Sequence, residues 1–189
     1  FSLWLLLQGF LSYFDIYHNF TVFPKLIVIG IIPGLSLILW LFLTKTGKHL
    51  IDSLPLDKLT YLNLIGIPME LVIYALAKHK AVPEILTFEG WNFHILIGIT
   101  APFIIYYGFV KQKISKSIML AWNAIGVTLL IFLFIVALLS SPFPFQQFGF
   151  DQANIASFHF PFSWIPTYIA PTLIFGNLLS IRQLIKKSK

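Results

Sequence analysis

Glu70 stands in LTYLNLIGIPMELVIYALA, residues 59–77, a run otherwise free of charge. An ionised carboxylate inside hydrocarbon costs at least about 2.5 kcal/mol, so such acids face a bundle interior and mark a proton, ion or substrate site. Asn63, Gly66, Glu70 and Tyr74 recur at helical spacing and form one polar, partly small stripe on that segment. Pro68 leaves a carbonyl without its usual donor, which a protonated Glu70, a water or an ion can engage. The alternative is a neutral Glu70 with a purely structural hydrogen bond. A second group lies in LTFEGWNFHILIGITAP, residues 86–102, where Glu89, Asn92 and His94 adjoin an apolar run. These residues suit a helix start, with Asn92 as cap and Glu89 near the positive helix end. They also suit acid–base or binding chemistry if other segments supply partners.

The elements that must position these groups are set by composition. Of 189 residues, 58% are hydrophobic and 11% charged, and mean hydropathy is +0.85; a soluble domain is roughly one quarter charged. A water-soluble fold is excluded. Cysteine is absent, which removes disulfide, thiolate and cysteine-ligated metal chemistry. About 20 apolar residues span a hydrocarbon core of about 30 Å. The pattern predicts an all-α membrane protein, a single domain over 1–189, with six helices near 1–14, 24–44, 59–77, 93–110, 117–140 and 162–181. The first segment lacks a basic leader and a small-residue cleavage site, and reads as a span rather than a signal peptide.

Basic residues of short loops resist translocation. Lys45, Lys48, Lys58, Lys111, Lys113, Lys116, Arg182, Lys186, Lys187 and Lys189 fall on one side, against Lys25, Lys78 and Lys80 on the other. The asymmetry predicts both termini in the cytoplasm and His18, His79, His94 and His159 at the external side. The net charge of +6 therefore reads as a topology signal, and no nucleic acid is expected as partner.

On the sixth segment Thr172 would share the depth of Glu70, and Asn63, Asn123 and Asn177 would cluster nearer the cytoplasm. The connection SPFPFQQFGFDQANIASFHFP, 141–161, holds many phenylalanines. They are expected on the membrane interface or folded back as a lid that brings Asp151, Asn154 and His159 towards Glu89, Asn92 and His94. A metal site from His18, His94 and His159 lacks HExxH or any histidine pair at helical spacing, so neither metal nor cofactor is expected. Hydrolase elbows, Walker loops, dinucleotide glycine patterns and a repeat between the halves are absent.

At IPMELVIY, LTFEGWNFHILIGITAP, PFPFQQFGFDQANIA and FPFSWIPTYIAP the sequence resembles an uncharacterised family of small Bacteroidetes-type polytopic integral membrane proteins, over about residues 54–184. The resemblance implies a bacterial inner (plasma) membrane location and supplies no activity. Relatives often carry Asp in place of His94, which weakens any role requiring imidazole there. The expected function is a small-molecule or ion binding and transport module with a protonatable Glu70. Tyr74, Thr172, Glu89, Asn92, His94, Asp151 and His159 are further binding candidates. The alternatives are an intramembrane enzyme on a lipid or quinone-like substrate, or an accessory subunit of a larger complex. Expected partners are the lipid bilayer, a small-molecule or lipid ligand, and partner subunits.

Overall fold

The computed structural model describes residues 2–18 and 24–186, and every regular element among them is helical. The main helices are α1 (Ser2–Tyr13), α2 (Leu26–Leu43), α3 (Lys45–Asp52), α4 (Leu56–Lys78), α5 (Ile95–Val110), α6 (Lys116–Leu139) and α7 (165–186). Three of them, α2, α4 and α6, are long and apolar enough to cross a membrane. At 12 residues α1 is about 18 Å long, shorter than the expected span, because its helix ends at Tyr13 and Asp15 takes a left-handed backbone with φ +56°. The expected 93–110 segment begins two residues later, and 162–181 becomes 165–186 after a turn through Phe162 and Ser163.

The distribution of side chains is that of a membrane protein. Leu3, Leu43, Phe103 and Val110 expose large apolar surface, whereas Gln8, Asn63, Glu70, His94 and Asn177 are buried. A surface so apolar aggregates in water and is solvated by acyl chains in a bilayer. The interior is knit by α6 against α7 and by α4 against α5, where Gly98 approaches the backbone of Asn63 and Ile67.

Prolines decide where the helices depart from regularity. Pro33 cannot donate to the carbonyl of Ile29, nor Pro171 to that of Thr167, and the backbone widens into π-turns over Leu26–Ile31 and Ile165–Ile169. Both carbonyls are instead satisfied from α1, by Gln8 Nε2 to Ile29 O at 3.4 Å and Trp4 Nε1 to Thr167 O at 3.1 Å. Trp164 Nε1 returns a bond to Leu5 O at 3.0 Å. In α4, a 3₁₀ turn over Leu62–Ile65 precedes Pro68, whose ring crowds the Leu64 carbonyl.

At the lysine-rich end, α3 is tied to α7. Arg182 donates to both oxygens of Asp52 at 2.8 and 3.0 Å, and Lys186 adds a contact of 2.8 Å. Gln183 donates to the carbonyls of Ile51 and Leu54. At the other end, the 79–94 connection follows α4 with a short 3₁₀ turn, Glu84–Leu86, and turns back against the bundle. The phenylalanine-rich connection clamps it: Ile155 and Ala156 donate backbone bonds to Ala81 O, and Gln152 Nε2 bonds Ala77 O and Val82 O.

Candidate functional site

Glu70 projects from α4 into a buried interior that two other segments complete. The 79–94 connection must fold tightly to reach it, and Gly90 permits this because a Cβ there would lie 2.6 Å from Glu84 O and from Ile85 Cα. The turn carries Asn92 inward. Its Nδ2 donates to Glu70 Oε2 and, at 3.0 Å, to Leu86 O, while its Oδ1 accepts the His94 backbone N–H at 3.1 Å. Asn92 therefore serves both as helix-start residue and as partner of the buried acid.

His94 opens α5 and turns its ring towards the same carboxyl. Nδ1 lies 3.5 Å from Glu70 Oε1, beyond a well-formed hydrogen bond. Gly66, one turn before Glu70, packs against the imidazole: a Cβ there would stand in ordinary contact, 3.4 Å from His94 Cε1. Glu70 and His94 are each 0% exposed and Asn92 is 1% exposed. Glu70 Oε1 and both His94 ring nitrogens are buried without a hydrogen-bond partner. A carboxyl and an imidazole thus share an enclosed space with unspent polar capacity, which low dielectric makes consequential.

Further along α4 towards the lysine-rich end, Asn63 and Asn177 exchange side-chain hydrogen bonds at 3.0 and 3.4 Å, Asn177 also donating to Leu173 O. Asn123 donates to Met119 O, and its buried Oδ1 has no hydrogen-bond partner. The polar stripe of α4 therefore continues inward for about 10 Å from Glu70, with Gly66 between.

Other expected site residues go elsewhere. Tyr74 donates to Glu89 at 3.2 Å rather than to Glu70, and Lys78 pairs with Glu89 at 3.0 Å. That lysine holds the Glu89 carboxyl below the usual range. The expectation that Glu89 or Asn92 approaches a polar group of 151–159 finds no counterpart in their side-chain bonds: Glu89 accepts from Tyr74 and Lys78, and Asn92 donates to Glu70 and Leu86 O. The phenylalanine-rich connection covers the 79–94 turn through apolar and backbone contacts, including Trp91 against Phe148 at 5.5 Å. Asn154 is 2% exposed and bonds Ala137 O and Ser141 Oγ, while Asp151 is exposed. Beneath that connection lies a void of about 60 Å³ edged by Leu86, Leu130, Asn154 and Ser157. Thr172 does not approach Glu70 but lines a groove of about 520 Å³ with Trp4, Leu37, Tyr168 and Phe175. The lid was expected to bring His159 towards His94; instead His159 meets His18, and His94 keeps to Glu70.

Gln8 and Asp15 were not anticipated as polar anchors. Gln8 accepts from the buried Tyr17 hydroxyl, whose pKa burial raises to about 12. A lone amide within an apolar helix was the available signal. No family model, curated protein or solved structure matches the chain, and its chemistry rests on this geometry.

Proposed function

We propose that the protein is a multi-pass module of the bacterial inner membrane that takes up a proton or small cation at Glu70 and His94 and couples it to binding or movement of a small solute. The observation that carries this reading is the fully buried Glu70–His94 pair, 3.5 Å apart, with Oε1, Nδ1 and Nε2 lacking hydrogen bonds. Such a pair holds one proton in two arrangements, acid with neutral imidazole or carboxylate with imidazolium, and both avoid a net charge. Loss of that proton leaves an anion beside Asn92, an arrangement a cation can replace. The asparagines at 63 and 177 extend uncharged polar groups away from the pair.

The test is infrared spectroscopy of the full chain in lipid nanodiscs, titrated across about pH 4–9, the range that brackets carboxyl and imidazole ionisation. A protonated carboxyl band in an apolar environment should titrate, vanish in Glu70→Gln and move in His94→Gln. Absence of any such band in the folded wild type overturns the reading. A second reading, binding of a lipid or quinone-like chain, is favoured by the groove of about 520 Å³, whose lining combines apolar walls with Tyr168 and Thr172.

A further inference from the structure

Away from Glu70, three ligand-bearing side chains converge at the end of the bundle opposite the lysine-rich loops. His18 Nε2 and His159 Nε2 are 2.7 Å apart, and Asp15 Oδ1 lies 3.0 Å from His18 Nδ1. One ligand atom from each of the three falls within 4.8 Å of the others. We propose that Asp15, His18 and His159 bind a divalent transition-metal ion of the zinc class, through one nitrogen of each imidazole and one Asp15 oxygen, with water completing the site.

The surroundings hold these groups in place. His18 follows Tyr17 and His159 follows Phe158, and those two rings lie in one apolar cluster with Phe143, at 1% and 0% exposure. Ser163 Oγ donates to Ser12 Oγ at 2.8 Å, joining the same two segments on their inner side. Asp15 is aimed by its left-handed backbone, φ +56°, an uncommon conformation outside glycine that aspartate tolerates better than most residues. The anchors are thus independent of the three ligand contacts. The chain has only 5 histidines, and two of them meet here across 141 residues.

The chemistry fits a zinc-class ion. Imidazole and carboxylate suit zinc, nickel or copper better than calcium or magnesium, which prefer all-oxygen shells. Metal–ligand bonds of about 2.0–2.2 Å place tetrahedral ligands about 3.3 Å apart, so the two Nε2 atoms need to open by about half an ångström, and the Asp15 oxygen, now on the Nδ1 side of His18, must swing inward within a cluster whose ligand atoms already lie within 4.8 Å. Asp15 is exposed, and His18 and His159 are each half-buried. Without metal, Asp15 accepts from His18 and the two imidazoles share a hydrogen bond. With metal, the ion links the end of α1 to the phenylalanine-rich connection.

The test uses the full chain with any affinity tag removed, stripped with chelator and held in lipid nanodiscs. Cobalt(II) titration should produce visible ligand-field bands, and calorimetry with zinc(II) should give one ion per chain. His159→Gln and His18→Gln should abolish the bands. Asp15→Asn, at an exposed position and with little demand on folding, should weaken zinc binding about tenfold or more, while His79→Gln, at an exposed histidine outside both sites, leaves it unchanged. Zinc binding should also raise the thermal midpoint of the wild type and not of Asp15→Asn. No stoichiometric binding by the wild type, or binding indifferent to Asp15→Asn and His159→Gln with helical content intact, overturns the site.

Discussion

At the scale of single residues, the neighbours of Glu70 satisfy only one of its oxygens. Asn92 holds Oε2, and Oε1 faces an imidazole without a formed bond. Asn92→Ala removes a buried donor from the acid and from Leu86 O, so it should destabilise the protein by about 1–3 kcal/mol, read as thermal unfolding in detergent. Glu70→Gln should melt close to wild type and lose the titrating carboxyl band, separating folding from proton binding. Glu89→Ala should leave both the melting point and that band unchanged, because Glu89 is an exposed partner of Lys78 outside the buried pair. A loss of the band in Glu89→Ala would place Glu89 in the site. Glu70's inward orientation was legible from sequence, since hydrocarbon leaves a lone acid no other place. Its partners were not. Which way Asn92, Glu89 and His94 turn depends on the backbone path of 79–94, and each of them also fits a solvated helix start.

At the scale of elements, two features make quantitative expectations. Arg182 and Lys186 draw the Asp52 carboxyl down to about 2, below about 3.9 in an unfolded chain. The folded pKa is the lower one, so the tether between α3 and α7 stabilises fully above about pH 4 and fades as pH falls towards 2. Asp52→Asn should cost about 1 kcal/mol at neutral pH and flatten that acid-side slope in a pH series of melting curves. The second feature is the support α1 gives to the proline-widened turns. Trp4→Phe keeps the ring's bulk but leaves Thr167 O without a donor, and should cost about 1–3 kcal/mol. An unchanged melting point for Trp4→Phe would mean that water supplies the missing bond. Helix positions were readable because long apolar runs leave few alternatives. The π-turns were not, since proline marks where a carbonyl is freed without saying which distant side chain will take it.

At the scale of the whole molecule, the lysine asymmetry predicts that Lys45, Lys111 and both termini are cytoplasmic. Cysteines at Thr46 and Gln112 should resist a membrane-impermeant thiol reagent in intact cells, and one at Asp151 should react. Labelling at Gln112 without labelling at Asp151 would invert the arrangement. The fold also has a history in time. Trp4 meets Thr167 across 163 residues of chain, and Trp164 meets Leu5 across 159. At synthesis rates of about 5–20 residues per second, α1 waits roughly 10–30 s before its seat exists. Throughout that interval the Trp4 indole N–H lacks the Thr167 carbonyl it finally meets and must borrow water, lipid headgroups or an insertion factor. A ribosome-stalled chain ending before Ile165 should therefore carry an α1 that proteases and crosslinkers can still reach. Of the described helices, the first to be made is the last to be seated.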